Sequence, residues 1–177
     1  MKAQTPPKVV TFDHILFAAD FSKQSNGALP FALSIAHKYA SKVFAVHVIA
    51  PPPLGNFPTI EVQELAAQAL READDHMKLL APKLRGIPHE ALLRKGGIWD
   101  ELSVIVKEKN IDLVVLGTHG RAGVSKLLMG SVAERILRQS TCPVLTVGPN
   151  VSAEPGSVAE IHTILCPIDF TAGGASP

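Results

Sequence analysis

An α/β fold with an open parallel sheet and helices on both faces is the architecture that the sequence predicts. Five apolar runs of strand length alternate with four stretches of helical periodicity, a pattern that implies right-handed crossovers between parallel strands. A glycine-rich segment follows the fourth apolar run, at a position where such sheets bind phosphate. The length of 177 residues suits one ordinary domain with a little to spare.

Composition excludes several classes of protein. A hydrophobic fraction of 46% and a net charge of +1 predict a soluble globular protein and argue against a disordered chain or a nucleic-acid binder. Met1–Pro7 precedes no apolar signal region, and no run of about eighteen apolar residues occurs, so we expect a cytoplasmic protein without membrane contact. Cys142 and Cys166 lack the spacing of redox or metal sites, which predicts buried, reduced thiols and no metal centre.

The elements follow one another with clear boundaries. The first strand is apolar throughout, as expected of a central strand that is covered on both faces. Pro30 is expected in the first turn of the first helix. The proline-rich segment from Ala50 to Pro58 is either a lid or an idle surface loop. The predicted strands are Ile15–Ala19, Val43–Ile49, His89–Arg94, Leu113–Leu116 and Pro143–Val147, and the predicted helices are Asn26–Tyr39, Thr59–Leu84, Ile98–Asn110 and one that begins near Ser131.

The segment after the fourth strand has the features of an anion site. Its glycines permit close approach of a ligand to the backbone, and successive N–H groups can form a concave nest. Ser131 and Glu134 have the S-x-x-E spacing of a capping box, which predicts that the unpaired amides of the fourth helix point back at this loop. Arg121 and Lys126 add positive charge. His119 either donates a hydrogen bond to a phosphate or faces solvent.

Asp20 ends the first strand, where an acid is well placed to reach a ribose hydroxyl or a metal; the alternative is that Asp20 or Ser22 simply caps the following helix. His47 in the second strand is predicted as a core or strand-end histidine.

The spacing G-x2-G-x9-G-S, formed by Gly117, Gly120, Gly130 and Ser131, resembles the ATP-binding signature of the universal stress protein family. The opening strand and the ending of the second strand are also similar, and the resemblance covers about Asp13 to Pro149. It departs at Ala18, where a proline is common in the family. The resemblance implies the sheet order 3-2-1-4-5 of an adenine nucleotide alpha hydrolase-like fold, which would bring Asp20 and Gly117 into one crevice.

The resemblance also implies a function, namely an ATP-binding stress-response regulatory protein. Amides of Gly120, Gly130, Ser131 and Val132 would hold the phosphates. Mg²⁺ would accompany the nucleotide, and hydrolysis would be slow at most because no obvious general base stands beside the loop. The ribose would face Gly117 and Asp20, adenine would lie between Val48 and Ala19, and Arg121 would face the γ-phosphate. The full set of candidate binding residues is Ala18, Ala19, Asp20, Ser22, Val48, Gly117, Thr118, His119, Gly120, Arg121, Gly130, Ser131 and Val132.

A second hypothesis is a dimerising interaction module of the same fold that does not bind nucleotide. An adenylating enzyme is a third, but Asp20 to Lys23 lacks the glycines that its phosphate motif would need near the first strand. Family analogy implies a homodimer through Pro143–Val147.

The end of the chain resembles its beginning. Ile164, Leu165, Asp169 and Phe170 repeat the pattern of the opening strand, after a linker-like stretch of Ser, Pro and Gly over residues 150–160. We therefore interpret residues 1–149 as one domain and residues 161–177 as the first strand of a truncated second copy, a chance apolar strand being the alternative. An exposed apolar strand invites pairing, so we expect residues 161–170 to add to a sheet edge in this chain or in a neighbour.

Overall fold

A computed structural model of the chain describes residues 10–51, 59–118, 130–148, 151, 159 and 161–166. The predicted alternation of strands and helices is confirmed. Within these ranges, none of the helices combines the length and hydrophobicity that a membrane span requires. The elements are β1 (His14–Ala18), α1 (Lys23–Tyr39), β2 (Lys42–Ile49), α2 (Thr59–Leu80), a 3₁₀ helix (Ala81–Leu84), β3 (His89–Lys95), α3 (Ile98–Glu108), β4 (Leu113–Gly117), α4 (Ser131–Gln139) and β5 (Val144–Val147).

The strands form one parallel sheet in the order β3-β2-β1-β4-β5, which confirms the expected order. The central strand β1 is covered on both faces, and Ile15, Leu16 and Phe17 have no exposed surface. The chain leaves β1 toward β2 on one side and returns beside β1 as β4 on the other. The carboxyl ends of β1 and β4 are therefore neighbours, with Ala18 paired with Leu116.

Alternating side chains of the strands build two apolar layers, one on each face of the sheet. Ile15 and Phe17 pack with α1 and α2, whereas Leu16 packs with α3 and α4. The same alternation continues at the carboxyl ends, where Ala18 and Val48 pack against the α3 and α4 layer. Consecutive residues at the strand ends therefore belong to opposite faces.

Helix α1 begins three residues earlier than predicted because Ser22 caps it. The hydroxyl of Ser22 accepts a hydrogen bond from the amide of Ser25 at 3.1 Å, and Ser22 has the extended backbone of an N-cap. The predicted start at Asn26 was wrong, and so was the placement of Pro30 in the first turn. Pro30 lies in the helix interior, where it cannot donate a hydrogen bond to the preceding turn.

Other boundaries shift by a few residues for local reasons. Helix α2 ends at Leu80 rather than Leu84, because Pro82 follows and the chain continues as the 3₁₀ helix. Helix α3 ends at Glu108, and Asn110 adopts a positive φ of 49° beyond it. The strand β5 begins at Val144, one residue after the predicted Pro143.

The described part of the terminal segment is not a strand of the sheet. Residues 161–166 have no strand assignment and are exposed, with Ile164 83% and Leu165 89% accessible. The expectation that this part pairs with the sheet of its own chain was wrong, and pairing with another molecule stays a prediction. Residues 167–177 lie outside the described residues. Cys166 is exposed rather than buried, while Cys142 is half-buried.

An ion-pair cluster on β3 gives the fold a pH dependence. Glu90 pairs with Lys109 at 2.8 Å and with Lys42 at 2.9 Å. The hydrogen bond from Lys109, and then that from Lys42, lowers the pKa of Glu90 from 4.5 to about 2. Because the folded pKa is lowered, this stabilisation is complete above about pH 4.5 and is lost as the pH falls toward 2.

We expect Glu90→Gln to lower the free energy of unfolding by about 1 kcal/mol at pH 7, a modest value because the carboxylate is partly exposed. Urea unfolding at pH 7, 4 and 3 should show this difference shrinking as the pH falls. Glu64→Gln on α2 is the control, because it removes the same charge from an exposed side chain and should change the free energy of unfolding little. A difference that stays constant over this range would contradict the assignment.

Candidate functional site

A cavity of about 520 Å³ opens at the carboxyl ends of the parallel strands. It spans the ends of β2, β1 and β4, where the order of the chain in the sheet reverses. Such switch points are the usual ligand sites of open α/β sheets, and the volume lies within the usual range for small-molecule pockets. The cavity is lined by Ala18, Ala19, Asp20, Ser25, Val46, His47, Val48, Ile49, Ala50, Ala69, Glu72, Ala73, Ile98, Leu102, Leu116, Gly117, Thr118, Gly130, Ser131, Val132, Ala133 and Ile136.

The turn between β1 and α1 is held by hydrogen bonds around Asp20. The amide of Ser22 donates to Oδ1 of Asp20 at 2.9 Å. The buried hydroxyl of Ser25 accepts from the amide of Asp20 at 3.3 Å and donates to the carbonyl of Ala18 at 3.4 Å. Phe21 has a positive φ of 61° in this turn. The turn thus fixes the position of the Asp20 carboxylate at the cavity wall.

His47 couples this turn to β2. Its Nδ1 lies 2.6 Å from the carbonyl oxygen of Ala19, and the residue is only 8% exposed. The ring of His47 contacts Phe21, with centroids 4.5 Å apart, and Phe21 in turn stacks on His76 of α2 at 4.7 Å. His47 is therefore a buried strand-end residue, as predicted, and it also lines the cavity.

Gly117 brings the end of β4 against the first turn of α1. A Cβ at this position would lie 2.8 Å from the carbonyl carbon of Gln24 and 2.9 Å from the amide nitrogen of Ser25. These are backbone atoms that cannot move aside independently. Packing alone therefore requires a glycine here, whatever the cavity binds.

The first turn of α4 faces the cavity through Ser131 and Val132. The helix begins at Ser131, as predicted, but the predicted capping box was wrong. Gly130 is the N-cap, no side chain among the described residues caps the helix, and Glu134 pairs with Arg138 at 3.0 Å instead. The amide of Gly130 donates to the carbonyl of Thr118 at 2.8 Å. The positive end of the helix dipole is thus directed at the space beside β4.

A sequence model of the Universal stress protein family matches residues 11–148. The chain belongs to the universal stress protein family. Universal stress protein A homolog 1 of Coxiella burnetii is 35% identical over 141 residues, which are 77% of this chain and 96% of that protein. Universal stress protein MJ0531 of Methanocaldococcus jannaschii is 30% identical over 139 residues, 77% of this chain and 82% of that protein.

Solved structures of universal stress proteins have the same fold. UspA from Lactobacillus plantarum superposes with a TM-score of 0.71 at 20% identity, over 78% of this chain and 99% of that chain. The Methanocaldococcus jannaschii protein MJ0577 superposes with a TM-score of 0.69 at 26% identity, over 81% of this chain and all of that chain. The five-stranded parallel sheet is thus the fold of the family.

In this universal stress protein, most of the candidate binding residues come together at one cavity. The lining includes Ala18, Ala19, Asp20, Val48, Gly117, Thr118, Gly130, Ser131 and Val132. Ser22 is not among the lining residues, and its hydroxyl caps α1. His119, Gly120 and Arg121 lie outside the described residues, as do Lys126 and the segment 52–58 that was considered as a lid.

The α2 wall of the cavity was missed from the sequence. Ala69 and Ala73 belong to an apolar stripe at helical spacing, a pattern that predicts core packing. Ala73 is buried, and Ala69, Glu72 and Ala73 all line the cavity. Periodicity cannot distinguish a core contact from a cavity wall, so only the three-dimensional structure identifies them.

Two carboxylates, Asp20 and Glu72, are the charged groups among the described lining residues, and no lysine or arginine occurs among them. Elsewhere in the described chain, no three His, Cys, Asp or Glu side chains meet in a way that could hold a metal ion. Any anionic ligand would therefore rely on backbone amides, the helix dipole and groups of the glycine-rich segment.

Proposed function

We propose that this chain is an ATP-binding stress-response regulatory protein of the cytoplasm. The proposal rests on the cavity at the carboxyl ends of the strands, where the strand order reverses. Asp20 lies on one side of this cavity and the first turn of α4 on the other. An acid and a helix N-terminus across a mainly apolar cleft suit a nucleotide, which has hydroxyls, a flat base and phosphates.

Each part of a nucleotide has a counterpart in the lining. Amides of Ser131 and Val132 would hold the phosphates, because α4 begins there without a side-chain cap, whereas the amide of Gly130 donates to the carbonyl of Thr118. Asp20 would accept from the ribose, beside Gly117 and Thr118. Adenine would lie on the apolar residues Ala18, Ala19 and Val48. Gly120, Arg121 and His119 would complete the phosphate contacts.

Two structures of this fold add support. One is a universal stress protein in complex with cAMP, and the other is an Arabidopsis thaliana family protein with AMP bound. Both ligands carry the adenine base and the ribose that the proposed contacts would recognise.

Mg²⁺ would reach the site with the phosphates rather than through a dedicated set of protein ligands. This matches the residues present, since Mg²⁺ keeps several waters and is often held by phosphate oxygens with one or two carboxylates. Hydrolysis would be slow at most, because the sequence of the glycine-rich loop offers no obvious general base.

Assembly is part of the proposal. The strand β5 pairs with β4 on one side, which leaves its other edge for a homodimer through Pro143–Val147. We also propose that residues 161–177 are the first strand of a second copy of the domain, after a linker over 150–160. This chain covers only 45% of a Mycolicibacterium smegmatis universal stress protein to which it is 32% identical.

Equilibrium dialysis of the purified chain against ATP tests the proposed function. We expect saturable binding of about one ATP per chain at or below millimolar concentration. Absence of binding at millimolar ATP would reject the proposal and leave the dimerising interaction module as the function.

A further inference from the structure

Glu72 is a feature of the cavity to which the proposed nucleotide contacts give no role. It lies on α2 beside Ala69 and Ala73, which also line the cavity. Residues three and four apart share one face of a helix, so these three side chains form one wall. Together with Asp20, Glu72 supplies the negative charge of the described lining.

The contacts of His76 place Glu72 near the turn that carries Asp20. The ring of His76 stacks on Phe21 at 4.7 Å with an interplanar angle of 17°, and Phe21 directly follows Asp20. Glu72 lies one helical turn before His76 and on the same face of α2. Because α2 starts from the cavity end of the sheet and runs back toward the start of β3, this turn lies on the cavity side of the stack.

Each of the two carboxylates accepts a hydrogen bond from a nearby donor. The side-chain amide of Gln68 donates to Oε1 of Glu72 at 2.8 Å, one turn away on α2. The amide of Ser22 donates to Oδ1 of Asp20 at 2.9 Å. The lining therefore contains two carboxylate acceptors, Asp20 and the exposed Glu72, which would recognise donor groups of a ligand.

The carboxylates of Asp20 and Glu72 suit the hydroxyl groups of a ligand better than a metal ion or the amino group of the base. A hard cation takes six or more oxygen ligands, and the described residues offer no cluster of three acidic, His or Cys groups. Of the three residues proposed to contact adenine, Ala18 and Val48 pack with the α3 and α4 layer and Ala19 packs with the layer that includes α2, so most of the base would lie away from Glu72. A vicinal diol needs only two neighbouring acceptors.

We propose that Glu72 acts with Asp20 to bind the cis-diol of the ribose, and that this pair makes the site selective for ribonucleotides over 2′-deoxyribonucleotides. The inference rests on the proposed function, since it names a determinant of specificity in the same site. Glu72 would be a binding residue supplied by α2, outside the glycine-rich signature.

The test measures the dissociation constants of ATP, 2′-deoxy-ATP and ITP for the full chain and for Glu72→Gln and Glu72→Ala. Loss of a charged acceptor should weaken ATP binding by about tenfold and reduce the preference for ATP over 2′-deoxy-ATP by a similar factor. Glu64→Gln is the matched control, with the same change of charge on the same helix outside the lining, and should leave all three constants unchanged.

The outcomes separate this inference from the proposed function. If the unmodified chain binds none of the nucleotides, both fail. If it binds ATP but the Glu72 variants keep its preference for ATP over 2′-deoxy-ATP, only the inference is wrong. A change confined to the preference for ATP over ITP would also overturn it, because the carboxylate would then contact the base.

Discussion

Gly130→Asp is expected to weaken ATP binding at least about 100-fold while the fold stays as stable as before or becomes more stable. Gly130 is the N-cap of α4 and has φ −60° and ψ 144°, a conformation open to any L-residue. Aspartate is a favoured N-cap that would accept from the first-turn amides, adding about a few tenths of a kcal/mol of stability relative to glycine. The same carboxylate would occupy the proposed phosphate position with a negative charge, so binding should be lost by electrostatic repulsion.

Gly130→Ser is the matched control for that prediction. Serine also caps helices but carries no charge, so it should stabilise similarly and weaken ATP binding far less. Thermal unfolding and calorimetric titration with ATP measure the two effects independently. Equal ATP affinity of the aspartate variant and the unmodified chain would show that the phosphates do not lie at the first turn of α4.

Gly117→Ala is expected to destabilise the protein by about 2–3 kcal/mol, because the added methyl group would meet immovable backbone. The closest atoms are the carbonyl carbon of Gln24 at 2.8 Å and the amide nitrogen of Ser25 at 2.9 Å. The end of β4 and the start of α1 must separate to admit it. For a chain of this size the melting temperature should fall by roughly 5–10 °C.

Gly148→Ala is the control, since a Cβ there would meet nothing within 4 Å and no positive φ forbids it. It should leave the melting temperature nearly unchanged. Equal melting temperatures for the Gly117 and Gly148 variants would contradict the packing role of Gly117.

The sheet could be predicted from the sequence because its determinants are local. The run from Ile15 to Ala19 is apolar at every position, and the structure buries it between two layers of helices. Strand order came from the resemblance to the family, since alternating strands and helices alone are compatible with several orders. The glycine-rich signature likewise located one side of the cavity, at Gly117 and Gly130.

The features that could not be predicted from the sequence depend on competing local contacts or on packing between elements that are distant in the sequence. The spacing of Ser131 and Glu134 suggests a capping box, but the ion pair of Glu134 with Arg138 and the extended Gly130 give a different cap. Ser22 was weighed as a cap, yet the early start of α1 that it causes was not predicted. Glu72 lies over the cavity only because α2 packs across the sheet, a tertiary relation that periodicity does not encode.

Hydrogen–deuterium exchange with and without saturating ATP tests the central claim most directly, because it reports where the ligand lies. We expect slower exchange at the amides of Asp20, Thr118 and residues 131–133, with no change in the distal half of α3, which ends at Glu108. Unchanged exchange at the end of β1 and the first turn of α4 under saturating ATP, or protection confined to other surfaces, would contradict the assignment of this cavity as the nucleotide site.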